Sequence, residues 1–495
     1  MIRAPIIALV LLTFSGIAAP KDLAGVFEDA VHNDPVIRQA DANRLAAREA
    51  RPQAWAAVLP QLNGTASAAG DHNAGEQPFF GTGPNGAPLV TSVRAVSDTS
   101  TRKWGLNLQQ NLFSWANWMA LKAAGQEVAQ AEATYQAAEQ QLILRVAQAY
   151  FNVLAAVDGL EANQASLEAI SRQLDQANKR FEVGLIAITD VEEAKAARDT
   201  AAAAVIAAKR TLATTEDQLL EITGQKYDHL ARPGADMPLK SPDPADQSRW
   251  VNISLEQNLS LISSRLGAEI ARDNARIAIG GHLPTLDLVA GRSFERQGVN
   301  ESFGGVFGYD TFFNDRQIAV QLTVPIFSGG FTQSKVRQTQ YLWIAAKEAV
   351  VQSSRATERL ARDAYLGVIS GIARVQALRQ ALESSRTALK ATEAGYEVGT
   401  RTAVDVLNSR KTLVQAQTDY SGSRYDYIVS VLQLRLAAGN LDRGQLNEVN
   451  TWLTQPVPTS PAVPTPESLA PTVPAPPGNP AAPPPATPNP KPPGG

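Results

Sequence analysis

Phe181-Glu182-Val183-Gly184-Leu185-Ile186-Ala187-Ile188-Thr189-Asp190-Val191 returns later in the chain as Tyr396-Glu397-Val398-Gly399-Thr400-Arg401-Thr402-Ala403-Val404-Asp405-Val406. Each begins aromatic-Glu-Val-Gly and reaches an Asp-Val pair six residues after the glycine. Working outward, other motifs recur in the same order. Leu59-Pro60-Gln61-Leu62 returns as Leu283-Pro284-Thr285-Leu286, Leu112-Phe113-Ser114 as Ile326-Phe327-Ser328, and Ala149-Tyr150 as Ala364-Tyr365. Matched motifs in a fixed order mark an internal duplication. It divides the chain into a first copy, 20–235, and a second, 248–455. Residues 236–247 join them, within the Pro- and Asp-rich stretch 232–244.

Within each copy the hydrophobic period changes. Residues from about 22 to 58 have a helical pattern. A strand pattern follows, in which Trp104, Leu106, Leu108 and Leu112 oppose Lys103, Asn107, Gln109 and Asn111. The second copy alternates more clearly: Ile318, Val320, Leu322, Val324 and Ile326 against Ala319, Gln321, Thr323 and Pro325. Partner strands begin near Leu62 and Leu286, and Gly-rich loops at about 71–98 and 297–315 are expected between them. Proline then vanishes between Pro88 and Pro233 and between Pro325 and Pro456. Leu121, Ala124, Val128, Ala131, Tyr135, Ala138 and Leu142 form a seam of coiled-coil period. The resulting helix, about 119–182, would be roughly 95 Å long at the α-helical rise. Gly184 suits its end, and Thr189-Asp190-Val191-Glu192 reads as a capping box opening a shorter helix, about 189–223. Gly399 and Thr402-Ala403-Val404-Asp405 repeat the arrangement. The two short helices of a copy together match the long one, so stacked end to end they make a second column beside it.

The ends differ from this body. Residues 1–19 read as a signal peptide: Arg3, the apolar run Ile6–Phe14, then Gly16-Ile17-Ala18 before a cut after Ala18 or Ala19. From Pro456 to 495 the chain is mostly Pro, Ala and Thr, a composition that reads as a disordered tail. No other stretch reads as a membrane-spanning helix.

Composition narrows the function. Of 495 residues, 44% are hydrophobic but only 6% aromatic, as suits close-packed helices. A net charge of −3 gives no field for nucleic acid. The absence of cysteine excludes disulfides, thiolate chemistry and a lipoprotein anchor. The four histidines are scattered, and no P-loop, H-E-x-x-H or G-x-S-x-G occurs. Gly81-Thr82-Gly83-Pro84-Asn85-Gly86 fits a nucleotide fingerprint formally, but no βαβ unit surrounds it. No enzyme, cofactor or metal is expected.

Export combined with alternating strands of about ten residues is the signature of an outer-membrane barrel. Four strands cannot close, and an open sheet cannot sit in lipid because its edges leave backbone groups unpaired. Several chains must contribute, and three would give twelve strands. With this order, and with Gly281-His282-Leu283-Pro284-Thr285-Leu286-Asp287-Leu288 beside the two stretches quoted first, the chain closely resembles the TolC-type outer-membrane efflux proteins. The resemblance runs from Asp22 to about Leu453. It implies an α+β membrane protein: a homotrimer with a twelve-stranded barrel in outer-membrane lipid, continued by a long periplasmic α-helical coiled-coil barrel. The implied role is the outer-membrane channel of a tripartite efflux or type I secretion system. Its partners would be a periplasmic adaptor protein and an inner-membrane ABC or proton-driven transporter, and its cargo drugs, toxic small molecules or secreted proteins.

The resemblance also implies a gate at the helix tips. Carried over by position, Asp190 would meet Tyr396, and Arg401 would meet Asp190 and Thr189. Asp405 would form a threefold carboxylate ring at the constriction. Where relatives carry a second Asp one turn later this chain has Asn408, which halves the ring's formal charge and should weaken cation selectivity and blockade. Val183, Gly184, Leu185, Val398, Gly399 and Thr400 occupy the adaptor-docking positions. Read from the residues alone, Thr189, Asp190, Thr402 and Asp405 equally suit helix caps, a role compatible with gating. Trp104, Trp115 and Trp118 suit an interfacial girdle. The rival class is a periplasmic coiled-coil scaffold or adaptor, which would lack the duplicated strand–strand–helix order. A secreted enzyme lacks any catalytic cluster.

Overall fold

The computed structural model describes residues 21–302 and 306–459; the signal segment expected at 1–19, and the expected tail beyond Thr459, lie outside the described residues. The first helical stretch is not the single helix expected over 22–58. It breaks into α1 (Leu23–Asn33), α2 (Pro35–Arg48) and α3 (Ala50–Ala56). Pro35 disfavours helical backbone at Asp34, which takes ψ 120° and accepts a bond from the Ile37 amide, ending one helix and capping the next. Arg145 Nη2 lies 2.6 Å from this buried carboxylate.

Strands β1 (Gln61–Thr82) and β2 (Pro88–Phe113) form a hairpin far longer than expected. The stretch 71–98 is not a loop: pairing runs without a break from Gln61↔Gln109 to Thr82↔Pro88, leaving a turn at 83–87. Ser114 caps the next helix through the Asn117 amide, so α4 (Trp115–Glu182) starts four residues earlier than expected and is about 100 Å long. All seven predicted seam residues, Leu121 to Leu142, are buried or half-buried. Contrary to expectation, α4 also contains a window long and apolar enough to cross a membrane; 61% of it is buried within the fold. The antiparallel α5 (Ile188–Thr223) packs along α4. Asn33 Nδ2 donates to Thr223 O at 2.9 Å, so the ends of α1 and α5 abut and complete the second column.

A short strand, β3 (His229–Pro233), precedes α6 (Gln247–Gln257) and α7 (Leu259–Ile279). Asn258 divides these helices as Asp34 divides α1 and α2. Its side chain accepts from the Leu261 amide and donates to Ala437 O. After a 3₁₀ turn come β4 (Thr285–Ser302) and β5 (Val306–Thr323), which again replace most of the loop expected at 297–315. β5 stops at Thr323, before the expected alternation ends, because Pro325 has no amide hydrogen to donate to a ladder. Then follow α8 (Phe331–Glu397), α9 (Ala403–Ala438), α10 (Arg443–Asn450) and β6 (Leu453–Pro458).

Two sheets result. The larger is antiparallel in the order β1-β2-β4-β5, and its outer strands each present a free edge. Its registered rows separate by chemistry. One face carries Leu62, Leu108, Ala290 and Ile318 in one row, with Leu288–Val320 and Leu286–Leu322 below. The other carries Gln61, Gln109, Asn107, Asp287 and Gln321. The smaller sheet pairs β3 with β6, and Lys21 bridges to Leu230. It lies against the middle of α4, where the Tyr150 hydroxyl donates to Ala231 O at 2.6 Å and accepts from Ala231 N at 2.9 Å. Pro456–Pro458 therefore belong to a strand rather than to the expected tail. Beside this sheet Phe151 stacks on Tyr425, whose hydroxyl donates to Asp158 at 2.8 Å; burial and that carboxylate push the phenol well above its ordinary range. The core is thus centred at mid-height, between the sheet and the helix tips.

Candidate functional site: the two helix tips

The hairpins joining α4 to α5 and α8 to α9 lie at the ends of the helices remote from the sheet. Gly184 closes the first with φ +75°, its amide donating to Phe181 O, while the Leu185 amide donates to Arg180 O. Gly399 closes the second with φ +80°, and the Thr400 amide donates to Gly395 O at 2.8 Å. Only glycine takes this backbone without strain. Both turns raise apolar side chains into solvent: Val183 is 70% exposed, Leu185 73% and Val398 76%.

The restarting helices differ. Thr402 caps α9 with the expected box. Its hydroxyl accepts from the Asp405 amide at 3.2 Å, and its own amide donates to Asp405 Oδ2 at 3.0 Å. The Thr402 backbone and hydroxyl donors, with Arg401 nearby, hold the Asp405 carboxyl below its ordinary value, so it is ionised at neutral pH. The box expected at Thr189 does not form. Helix α5 starts one residue earlier, with Ala187 as a cap that offers no side-chain acceptor, and Thr189 falls inside the first turn. Thr402→Ala should therefore lower stability by about 1 kcal/mol, and Thr189→Ala should change it little, in denaturant melts of the two variants.

Tyr396, half-buried, packs under Arg180, whose guanidinium carbon lies 5.3 Å from the ring centroid. Within one chain no side-chain bond links Asp190 to Tyr396 or Arg401 to Asp190. Asp190 is half-buried in the first turn of α5, while Arg401 and Asn408 are exposed. Sequence reading missed three contacts at this end. Besides Arg180 over Tyr396, Arg410 Nη2 meets Glu393 Oε1 at 2.6 Å, and Ser409 Oγ donates to Thr392 Oγ1 at 3.2 Å. The last two tie α9 to α8 just above the turn. The basic pair Lys179-Arg180 in the last turn of α4 was an available signal, since cations favour a helix C-terminus. The site thus combines apolar knobs at the extremity with a layer of charged and aromatic groups one to three turns back. Such a layer can be broken and remade without chemistry.

The model of the family described as "Outer membrane efflux protein" matches residues 26–225 and 250–440. The chain is 36% identical over 441 residues to the outer membrane protein TolC of Vibrio cholerae, covering 89% of this chain and 96% of that protein. It is 35% identical to TolC of Escherichia coli, covering 94% and 92%. Among solved structures, the Campylobacter jejuni CmeC outer membrane channel matches with a TM-score of 0.67 and 18% identity, over 88% of this chain and 90% of that one. The tall sheet, the paired hairpin tips and these likenesses have one reading: the chain belongs to the outer membrane efflux protein family and is an outer-membrane channel for efflux and secretion, with its helices in the periplasm.

Proposed function

We propose that three copies close their sheets into one twelve-stranded barrel and their helices into a single periplasmic tunnel. This duct passively discharges drugs, toxic small molecules or secreted proteins. A periplasmic adaptor docking at Val183, Gly184, Leu185, Val398, Gly399 and Thr400 opens it, with an inner-membrane ABC or proton-driven transporter supplying the work. Thr189, Asp190, Tyr396 and Arg401 hold the closed state across neighbouring chains. Asp405 rings the constriction, with Asn408 one turn behind as an uncharged layer. Relatives named as the alkaline protease secretion protein AprF of Pseudomonas aeruginosa (26% identical) and the proteases secretion protein PrtF of Dickeya chrysanthemi (24%) support including proteins among the cargo.

The observation that carries this reading is the pair of free edges on β1 and β5, 22 and 18 residues long. Edges of that length leave backbone donors and acceptors unpaired, which lipid does not tolerate and a neighbouring copy satisfies. Apolar residues on α8, including Tyr341 at 69% exposed and Leu366 at 55%, await cover in the same way. The cysteine-free chain allows a clean test. Paired cysteines, one on β1 and one on β5 of the same chain, should cross-link in membranes into species ending at the trimer. Products stopping at dimers, or none, would defeat the trimeric closure.

A further inference from the structure

On the apolar face of the large sheet, two pairs of arginines stand directly opposite each other across neighbouring strands. Arg102 on β2 faces Arg296 on β4, and Arg292 on β4 faces Arg316 on β5. Between the two pairs, in register, Trp104 faces Phe294 with ring centroids 6.3 Å apart. Like charges directly opposite destabilise an antiparallel pair, and here two such pairs flank one aromatic row. All four arginines are exposed. Arg296 reaches Asp310 at 2.8 Å and lies over the Phe312 ring, whereas Arg102, Arg292 and Arg316 have no acidic partner among the described residues. A depression of ≈ 610 Å³ opens beside Trp104 and Phe294, with Arg102 and Arg296 in its wall.

The position of this patch sets what it can meet. β5 runs down into α8, so its lower end faces the periplasm. On β5 the residues of this face are apolar from Leu322 up to Ile318, and Val324 and Ile326 continue the run below the strand's end, as in the lipid-facing band of outer-membrane barrels. The arginines and the aromatic row begin directly above that band, at the level of the outer leaflet's head groups. Rows 292 and 296 lie about 13 Å apart along β4, a span suited to a disaccharide with a phosphate at each end. Guanidinium pairs bind phosphate oxygens through paired N–H donors, and an aromatic row suits the faces of sugars between them.

We propose that this patch is a binding site for a phosphorylated glycolipid of the outer leaflet, each arginine pair clamping one phosphate and the Trp104–Phe294 row seating the carbohydrate. The bound anion would relieve the repulsion built into the register. The proposal rests on the outer-membrane location and is independent of the tip gate.

The test uses the full-length protein in neutral detergent, stripped of lipid, with thermal dissociation and direct binding as readouts. Diphosphoryl lipid A should raise the dissociation temperature. The R102Q/R292Q/R296Q/R316Q variant should bind it at least about tenfold more weakly and lose the rise. Without lipid the R102Q/R292Q/R316Q variant, which relieves both arginine pairs and keeps the Arg296–Asp310 bridge, should be no less stable than wild type. Gln109→Ala, on the opposite face and outside the depression, should behave as wild type. If the quadruple variant fails to assemble, the two double variants and the loss of response with dephosphorylated lipid A carry the test. An equal response to the dephosphorylated lipid, an equal response to phosphatidylglycerol, full saturation by inorganic phosphate alone, or unchanged binding by the arginine variants would each overturn the assignment. None of these readouts involves conduction, so their failure leaves the gate proposal intact.

Discussion

The double variant Tyr396→Phe, Arg401→Ser should conduct severalfold more current than wild type in planar bilayers, from a pore that still inserts as stably. Tyr396 is held at one tip by the Arg180 guanidinium and its hydroxyl makes no hydrogen bond among the described residues, while Arg401 is exposed at the turn. Within a chain neither meets Asp190, so in the proposed assembly their partners lie across the interfaces between hairpins. Each such link is a partly solvated hydrogen bond or ion pair, worth at most a few kcal/mol. Threefold repetition makes the closed state firm, and removing both groups from every copy removes all the links together. Wild type should show a small steady conductance and the variant a larger one at the same trimer yield. Equal conductance would place the constriction elsewhere, and absent insertion from well-assembled material would count against a pore.

Gly439→Val should abolish recovery of folded protein, a loss on the order of 3–4 kcal/mol or more. Gly439 ends α9 with φ +77°, where a β-branched residue is strained whatever surrounds it. Space compounds the strain: an added Cβ would collide with the carbonyl oxygen of Gln257 and lie 2.8 Å from Asn258 Cα. Those atoms belong to the break between α6 and α7, which is tied to α9 by Asn258 Nδ2 on Ala437 O at 3.1 Å. Gln140 Nε2 on Gly439 O at 2.8 Å adds α4. Four helices therefore lock at one backbone contact, and none can withdraw alone. Gly422→Ala, at a glycine of the same helix with open space around its Cβ position, should be tolerated and serves as the control. Heat-resistant oligomer on unboiled gels would report both; normal assembly of Gly439→Val would show that this junction yields.

Much of the architecture was legible because duplication and period are properties of long stretches. The heptad seam from Leu121 to Leu142 predicted which side of α4 is covered, and the alternation from Ile318 to Leu322 predicted the apolar face of the large sheet. The length of the strands was not legible. Over the middle of the β1–β2 hairpin both faces carry polar and small residues, so pairs such as His72↔Asp98 and Asn73↔Ser97 leave no hydropathy alternation, although the backbone ladder continues. The helix breaks divide similarly. Pro35 announced one, while its counterpart at Asn258 depends on a tertiary bond to α9 that no local pattern records. At the tips, the two Thr-x-x-acid motifs look alike in sequence, but only Thr402 sits where the backbone leaves helical geometry. The couplings of Arg180 to Tyr396 and of Glu393 to Arg410 depend on how neighbouring helices align across a turn, which spacing alone does not fix.

The small sheet at mid-height bears on the timing of assembly. It gathers Lys21, the strand 229–233 at the end of the first copy and the strand 453–458, which come from the beginning, middle and end of the described chain. A protein delivered amino-terminus first presents the first two long before the third. Until the last strand arrives, β3 lacks its β6 partner, and the core lacks Leu453 and Val457. The girdle thus acts as a completion latch. A chain truncated or stalled before residue 453 would have both its hairpin tips and all four long strands, yet would remain unfastened at the waist, where quality-control proteases could distinguish it from a finished copy.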